Sequence, residues 1–274
     1  TGVAPYAAEY AIADCAEGVL VLSTISRGEV VEIESGPVLA MPGVLAVIAD
    51  PRMIARSAQG GAGKSPVREI HKVDYFGQPV ALVVAETFEQ ARDAATRLRI
   101  AYRADDPARV PLEQDDPHAP HETHDEPILQ GNLDAAMRDA AHAVDVTYTT
   151  ECHASAAMEP HASIAEWDGN TLTAHSSLQM LKYNQKELAD ALGLAPEQVR
   201  LISPYVGGGF GSKLGISAEL TAAAVAAIEL GRPVRVVMSR QQVFQCVMRQ
   251  SETRQRLRLA ADAEGRLQGF GHEA

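Results

Sequence analysis

Residues 106–132 most constrain how this chain folds. The stretch carries five prolines, many acidic residues and three histidines, with few large apolar side chains. Each proline removes a backbone donor and fixes φ, so neither a regular helix nor a central strand runs through it. It reads as an extended linker. A chain of 274 residues is long enough for two folded domains. We therefore expect one unit over residues 1–105 and a second over 133–274.

The flanking patterns give an α+β fold class. Residues 18–25 (GVLVLSTI) and 42–48 (PGVLAVI) read as strands, and 78–85 (QPVALVVA) as a buried one. Thr87 and Gln90 have the spacing of a capping box, and Phe88, Ala91, Ala94, Ala95 and Leu98 make one apolar helical face. Residues 98–102 read as a strand. Beyond the linker, 133–141 predict a short helix and 143–150 a strand. Asp168-Gly169-Asn170 is a hairpin turn between strands at 162–167 and 171–175. A helix over 179–192 ends at Gly193. A strand at 199–203 leads into a glycine-rich run. Ser217 caps a helix over 218–230 that Gly231 and Pro233 stop. Then come a strand at 234–238 and a hairpin over 257–274. The chain starts at Thr1 rather than Met and stops as that hairpin closes, which reads as a segment of a longer protein.

Net charge is −12 and pI about 5.2, so the surface does not suit a polyanion or an anionic membrane. No apolar run reaches the roughly 20 residues of a membrane span. Cys15, Cys152 and Cys246 lie far apart with no C-x-x-C pair, so the chain offers no iron–sulfur or structural zinc framework. Compartment stays open between cytoplasm and periplasm, with the cytoplasm favoured.

Three clusters invite chemistry and yield little. Gly60–Ser65 (GGAGKS) lacks the first P-loop glycine, because Ala58 stands there, and Pro66 follows where a helix must begin. His118, His121 and His124 are spaced by three, but prolines between them forbid the helix that would align them. Cys152, His153, Glu159 and His161 fall within ten residues; the favoured reading is a packed turn in which a buried Glu159 links backbone amides.

The sharpest feature is YVGGGFGSKL, residues 205–214. It fails the dinucleotide fingerprint, since Ser212 holds the third glycine's place and the next helix starts late. Four glycines in five residues carry a high backbone entropy cost. With Phe210 fixed among them, they suggest a backbone wall brought close to a bulky planar partner. Gln179, at the end of the 171–175 strand segment, is placed to present its amide at the same end of the sheet.

TGVAPYAAE, PGVLAVI, YFGQPVALVVAETFEQARDAA, AMEPHASIAEWDG, SSLQM and ISPYVGGGFGSKL, in this order, resemble the molybdenum-binding large subunit of the xanthine dehydrogenase/aldehyde oxidase family. Bacterial aldehyde oxidoreductase subunits are the most similar group, through MEPHASIAEWDGN and GGGFGSKL. The resemblance implies a hammerhead-type α/β domain over 1–105, the 106–132 linker, and the first part of a molybdopterin-binding α+β domain over 133–274. It implies molybdenum with molybdopterin cytosine dinucleotide. On that resemblance Gln179 lies beside the metal, and Gly208, Gly209, Phe210 and Gly211 lie against metal and pterin.

Purine-oxidising members carry a glutamate where this chain has Leu214. A leucine makes that wall of the substrate pocket apolar, which points to aldehydes rather than purines. The implied reaction is oxidation of an aldehyde to a carboxylic acid with water as oxygen source. Its glutamate base lies downstream in the family, and neither Glu159 nor Glu219 stands in for it. A segment of this kind is inactive alone and works beside partner subunits carrying [2Fe-2S] and FAD, with no nucleic acid or membrane partner. Two alternatives remain: a dehydrogenase of N-heterocycles such as isoquinoline or nicotinate, and a non-catalytic fragment without cofactor.

Overall fold

The structure is a computed structural model that describes residues 2–55, 69–105 and 128–274. The glycine run at 60–65, the three linker histidines and most of the 106–132 stretch lie outside the described residues. The strands are β1 (Ala16–Leu22), β2 (Gly28–Glu34), β3 (Val44–Ile48), β4 (Lys72–Val73), β5 (Pro79–Ala85), β6 (Arg99–Ala104), β7 (His142–Thr150), β8 (His153–Ala154), β9 (Ala162–Trp167), β10 (Leu172–Ser176), β11 (Val199–Ile202), β12 (Val234–Val237), β13 (Arg249–Gln250), β14 (Thr253–Ala261) and β15 (Leu267–Glu273). The helices are α1 (Ser35–Leu39), α2 (Phe88–Arg97), α3 (Leu133–Asp139), α4 (Leu181–Leu192), α5 (Ala218–Leu230) and α6 (Arg240–Cys246).

The fold class is mixed helix and sheet, as the sequence patterns lead one to expect. The chain forms two compact units, the larger combining Ala154–Met248 with the residues before the linker. Its centre is a seven-stranded mixed sheet in the order β11-β10-β9-β12-β1-β5-β3. Strands from either side of the linker therefore share one sheet, joined where β1 and β12 run parallel with Ala16 opposite Val234. Every residue of β5 is buried, which explains its unbroken apolar run. Leu82 and Val84 belong to the main core with α5, while Ala81 and Val83 pack with Ala94, Leu98 and Val38. A second sheet, β4-β2-β6, closes over Val30, Val73 and Val80.

Helix α5 explains its own composition. Residues 218 to 227 are all buried, so the helix meets solvent only in its last turn, and small alanines let it lie close to the sheet. Ser217 stands at its N-cap position but its side chain makes no capping bond; Gly231 ends the helix in the left-handed conformation. Helix α2 carries the expected capping box, with Thr87 and Gln90 exchanging bonds of 3.1 and 3.3 Å.

The smaller unit is a three-stranded sheet, β15-β14-β7, with α3 packed on it. Gly269 leaves room for Ala136, whose Cβ would lie 2.9 Å from an added Cβ. Arg256 bonds Asp145, and Arg258 bridges Asp134 and Glu273, on exposed ground where such pairs contribute little.

Leu220 is fully buried on α5. Leu220→Ala is expected to lower unfolding free energy by about 2–5 kcal/mol, read from the urea midpoint at constant m-value.

Candidate functional site

Strand directions bring the candidate residues to one end of the large sheet. β10 and β11 are parallel, and β9 runs antiparallel to both β10 and β12. The start of β9 therefore meets the ends of β10, β11 and β12. Glu159 and His161 enter there, Ser177 to Gln179 leave β10 there, and the glycine run follows β11.

The centre of this end is the Glu159 carboxylate, which is 5% exposed. Its Oε2 accepts from Ser177 Oγ at 2.6 Å, from the Gly207 amide at 2.7 Å and from Lys213 Nζ at 3.0 Å. Its Oε1 accepts from the Ala7 amide at 3.3 Å. Lys213 is 0% exposed and also donates to the Glu159 carbonyl at 3.0 Å. Burial alone pushes the carboxyl up; the bonds from Ser177, Gly207 and Lys213 outweigh that and hold it below the usual glutamate value. Burial pushes the Lys213 ammonium down, opposed by Glu159. The expected role for Glu159, a buried carboxylate linking backbone amides, is what the geometry shows.

The loop itself has three left-handed positions, Gly208 (φ 96°), Phe210 (φ 50°) and Gly211 (φ 94°). Phe210 is the unusual one, because a side chain there is strained. Bonds from Ser212 N and Ser212 Oγ to the Gly209 carbonyl, and from Ser155 Oγ to the Phe210 carbonyl, hold the turn. His161 Nε2 donates to the Ser212 carbonyl at 3.0 Å beneath it. Among the described residues, no protein group accepts from the amides of Gly208, Gly209, Phe210 or Gly211. The Phe210 ring is 71% exposed.

Gln179 does not open α4, which starts at Leu181; it stands two residues earlier. Its amide N–H donates to the Lys213 carbonyl at 2.9 Å, and its side chain lies directly against Gly209, where any Cβ would strike its carboxamide. The structure thus brings Gln179 to the loop. Leu214 is 39% exposed, and its carbonyl accepts from buried Asn184 Nδ2 at 2.7 Å. Cys152 and His153 belong to the smaller unit, whereas Glu159 and His161 are buried in the larger. Among the described residues no group of three or more His, Cys, Asp or Glu side chains comes together as a metal would need.

Sequence reasoning missed Lys213, Ser177 and Asn184 as parts of this site. Nothing local distinguishes a lysine buried under a loop from one on its surface. An odd polar residue such as Asn184 on the apolar side of a helix was the only signal available for the third.

Two family models match the chain. The aldehyde oxidase and xanthine dehydrogenase a/b hammerhead domain matches residues 1–106, and the molybdopterin cofactor-binding domain matches 116–274. The molybdenum-binding subunit PaoC of an Escherichia coli K12 aldehyde oxidoreductase is 38% identical over the whole chain. This chain belongs to the aldehyde oxidase/xanthine dehydrogenase family of molybdopterin-binding subunits.

It spans 38% of the length of PaoC. The large molybdopterin subunit of Eubacterium barkeri nicotinate dehydrogenase is 28% identical over 97% of the chain, which covers 64% of that protein. The aldehyde oxidoreductase of Desulfovibrio gigas shares the fold, with a TM-score of 0.82 at 24% identity over 96% of this chain and 31% of that one. The residues present fit a molybdenum–molybdopterin group: amides at Gly208 to Gly211 with no acceptor among the described residues, the Gln179 carboxamide packed on Gly209, and an exposed aromatic ring at Phe210.

Two glycines of the loop should respond differently to alanine. At Gly207 a Cβ would sit 2.6 Å from Glu159 Cβ and 3.0 Å from the Tyr6 ring, so Gly207→Ala should destabilise the fold, by about 1–3 kcal/mol. At Gly209 the obstacle is the movable end of Gln179, so Gly209→Ala should leave the unfolding midpoint nearly unchanged and displace Gln179, which a crystal structure would show.

The depressed Glu159 pKa sets a pH dependence. Its stabilisation is present above the unfolded glutamate value of about 4.3 and disappears as pH falls through the lower folded value. The stability gap between wild type and Glu159→Gln should therefore be widest at neutral pH and close in acid, measured by denaturant unfolding across that range.

Proposed function

We propose that this chain forms part of the cofactor site of a molybdenum hydroxylase that oxidises aldehydes to carboxylic acids with water as oxygen source. One arrangement carries the proposal: the Gln179 carboxamide packed on Gly209, beside the uncovered Phe210 ring and the unpaired amides of Gly208–Gly211. When bound, the molybdenum centre supplies the two-electron oxidation. The Gln179 carboxamide would hold the group by hydrogen bonding, and Gly208, Gly209, Phe210 and Gly211 would hold it by their backbone N–H groups. The exposed Phe210 ring would supply an apolar surface against it. Glu159 is not the proton-accepting glutamate of that reaction, because its carboxylate is taken up by Ser177, Gly207 and Lys213.

Leu214 supports the choice of aldehydes. Its half-exposed side chain follows the loop and offers neither a charge nor a hydrogen bond, so a heterocycle rich in polar edges finds no partner there. The 38% identity to an aldehyde oxidoreductase subunit agrees with that choice. We further propose the cytosine dinucleotide form of the pterin, and partner subunits bearing [2Fe-2S] and FAD, in a heterotrimer. No helix among the described residues is long and apolar enough to cross a membrane. Independently of that, we propose the cytoplasm over the periplasm as its compartment. The division into 1–105, 106–132 and 133–274 belongs to the same reading, supported by the ranges of the two family models.

A panel of benzaldehyde, vanillin, isoquinoline and xanthine, offered to the complete protein with its partners, tests the substrate class. Aldehydes should give the highest kcat/KM. Isoquinoline as best substrate would favour the N-heterocycle alternative, and xanthine as best substrate would refute the role of Leu214. Phe210→Ala should lower bound molybdenum or turnover by about tenfold or more while leaving the melting temperature close to wild type, since the ring is exposed. Unchanged molybdenum content and turnover would remove Phe210 from the site.

A further inference from the structure

We propose that Glu159 and Lys213 are positioning residues that set the presentation of the glycine loop toward its cofactor, and that Lys213 is not itself a ligand-binding cation. The inference rests on the cofactor-site reading above and extends it to residues that touch no cofactor.

The loop begins and ends on one carboxylate. At its start the Gly207 amide N–H donates a hydrogen bond of 2.7 Å to Glu159 Oε2, and at its end the Lys213 ammonium donates one of 3.0 Å to the same oxygen. A second bond at the entrance runs from the Glu159 amide to the Gly207 carbonyl at 3.1 Å. Between these ends lie the left-handed Gly208, Phe210 and Gly211, whose amides have no protein acceptor. A run of glycines has many alternative conformations, so a fixed row of amides needs its two ends pinned.

The pin also reaches across the fold. Ala7 in the N-terminal segment and Ser177 beyond β10 donate to the same carboxylate. The Tyr10 ring stacks on His175 at 4.3 Å, holding that segment against β10.

A lysine at the end of a glycine loop invites assignment as a phosphate or oxyanion ligand. Its burial argues otherwise. Lys213 is 0% exposed, and two bonds to Glu159 direct its ammonium beneath the loop. Glu219 and Arg240, the other charges facing it, balance each other in sign. The loop therefore offers its ligand neutral amide dipoles rather than a cation.

The test uses the complete protein with Glu159→Gln, Lys213→Met, the double variant and Ser177→Ala. Two quantities are read: molybdenum per protein after gel filtration, and amide hydrogen exchange of a peptide spanning 205–214 relative to one spanning 88–97. Glu159→Gln should lose molybdenum severalfold and speed exchange in 205–214 at least about tenfold more than in 88–97. Removing both charges leaves no unpaired buried ion, so the double variant should recover melting temperature over either single while molybdenum stays low. Ser177→Ala, which removes only the 2.6 Å bond, should give a smaller loss in the same direction and serves if Glu159→Gln does not fold. Exchange that rises equally in both peptides, or a double variant with full molybdenum, overturns the proposal. A wild-type protein without molybdenum would sink the cofactor reading alone, because the exchange comparison needs no cofactor.

Discussion

A single buried ion pair organises the functional end of this protein. Glu159 and Lys213 are both withdrawn from water, and each charge would be costly there alone. They are tolerable because the carboxylate accepts from four groups and the ammonium donates to two oxygens of one residue. Those donors come from the N-terminal segment, the end of β10 and both ends of the glycine loop. The pair is thus less a source of net stability than a fixed point to which segments distant in sequence are tied.

The rest of the large unit brings these segments together. The mixed sheet sets the start of β9 beside the ends of β10, β11 and β12, so loops from distant positions meet without a long path. Helix α5 seals the sheet directly after the loop, and its buried alanines fix where the loop must land. Asn184 and Glu187 on α4 hold the backbone at Leu214 and Ile216. The loop is therefore braced on both sides while the amides of Gly208 to Gly211 have no acceptor among the described residues, an arrangement suited to a large ligand contacted by backbone.

Much of this was legible from local pattern. The Thr87–Gln90 box marked α2, the unbroken apolar run marked β5, and Asp168-Gly169-Asn170 marked the β9–β10 turn, because each depends on residues a few places apart. Helix α6 was missed although Ser239 and Gln242 form the same kind of capping box; seven residues gave too short a periodic run to register. The order of strands was not legible, since β1 pairing with β12 joins Ala16 to Val234. The site divides in the same way. The glycine loop and Gln179 announce themselves by composition and position. Glu159 was recognisable as a buried linker of amides, but its partners at 7, 177, 207 and 213 follow no local spacing, and the burial of Lys213 is a tertiary fact.

The central claim is that the loop and Gln179 serve a molybdenum–pterin group. The most direct measurement is the molybdenum and pterin content of the complete wild-type protein, purified without added metal, with the nucleotide released by acid hydrolysis identified. The account predicts molybdenum and pterin in near-equal amounts approaching one per protein, with cytidine monophosphate released. A folded protein that carries neither metal nor pterin, after expression in a host that makes the cofactor, would contradict it.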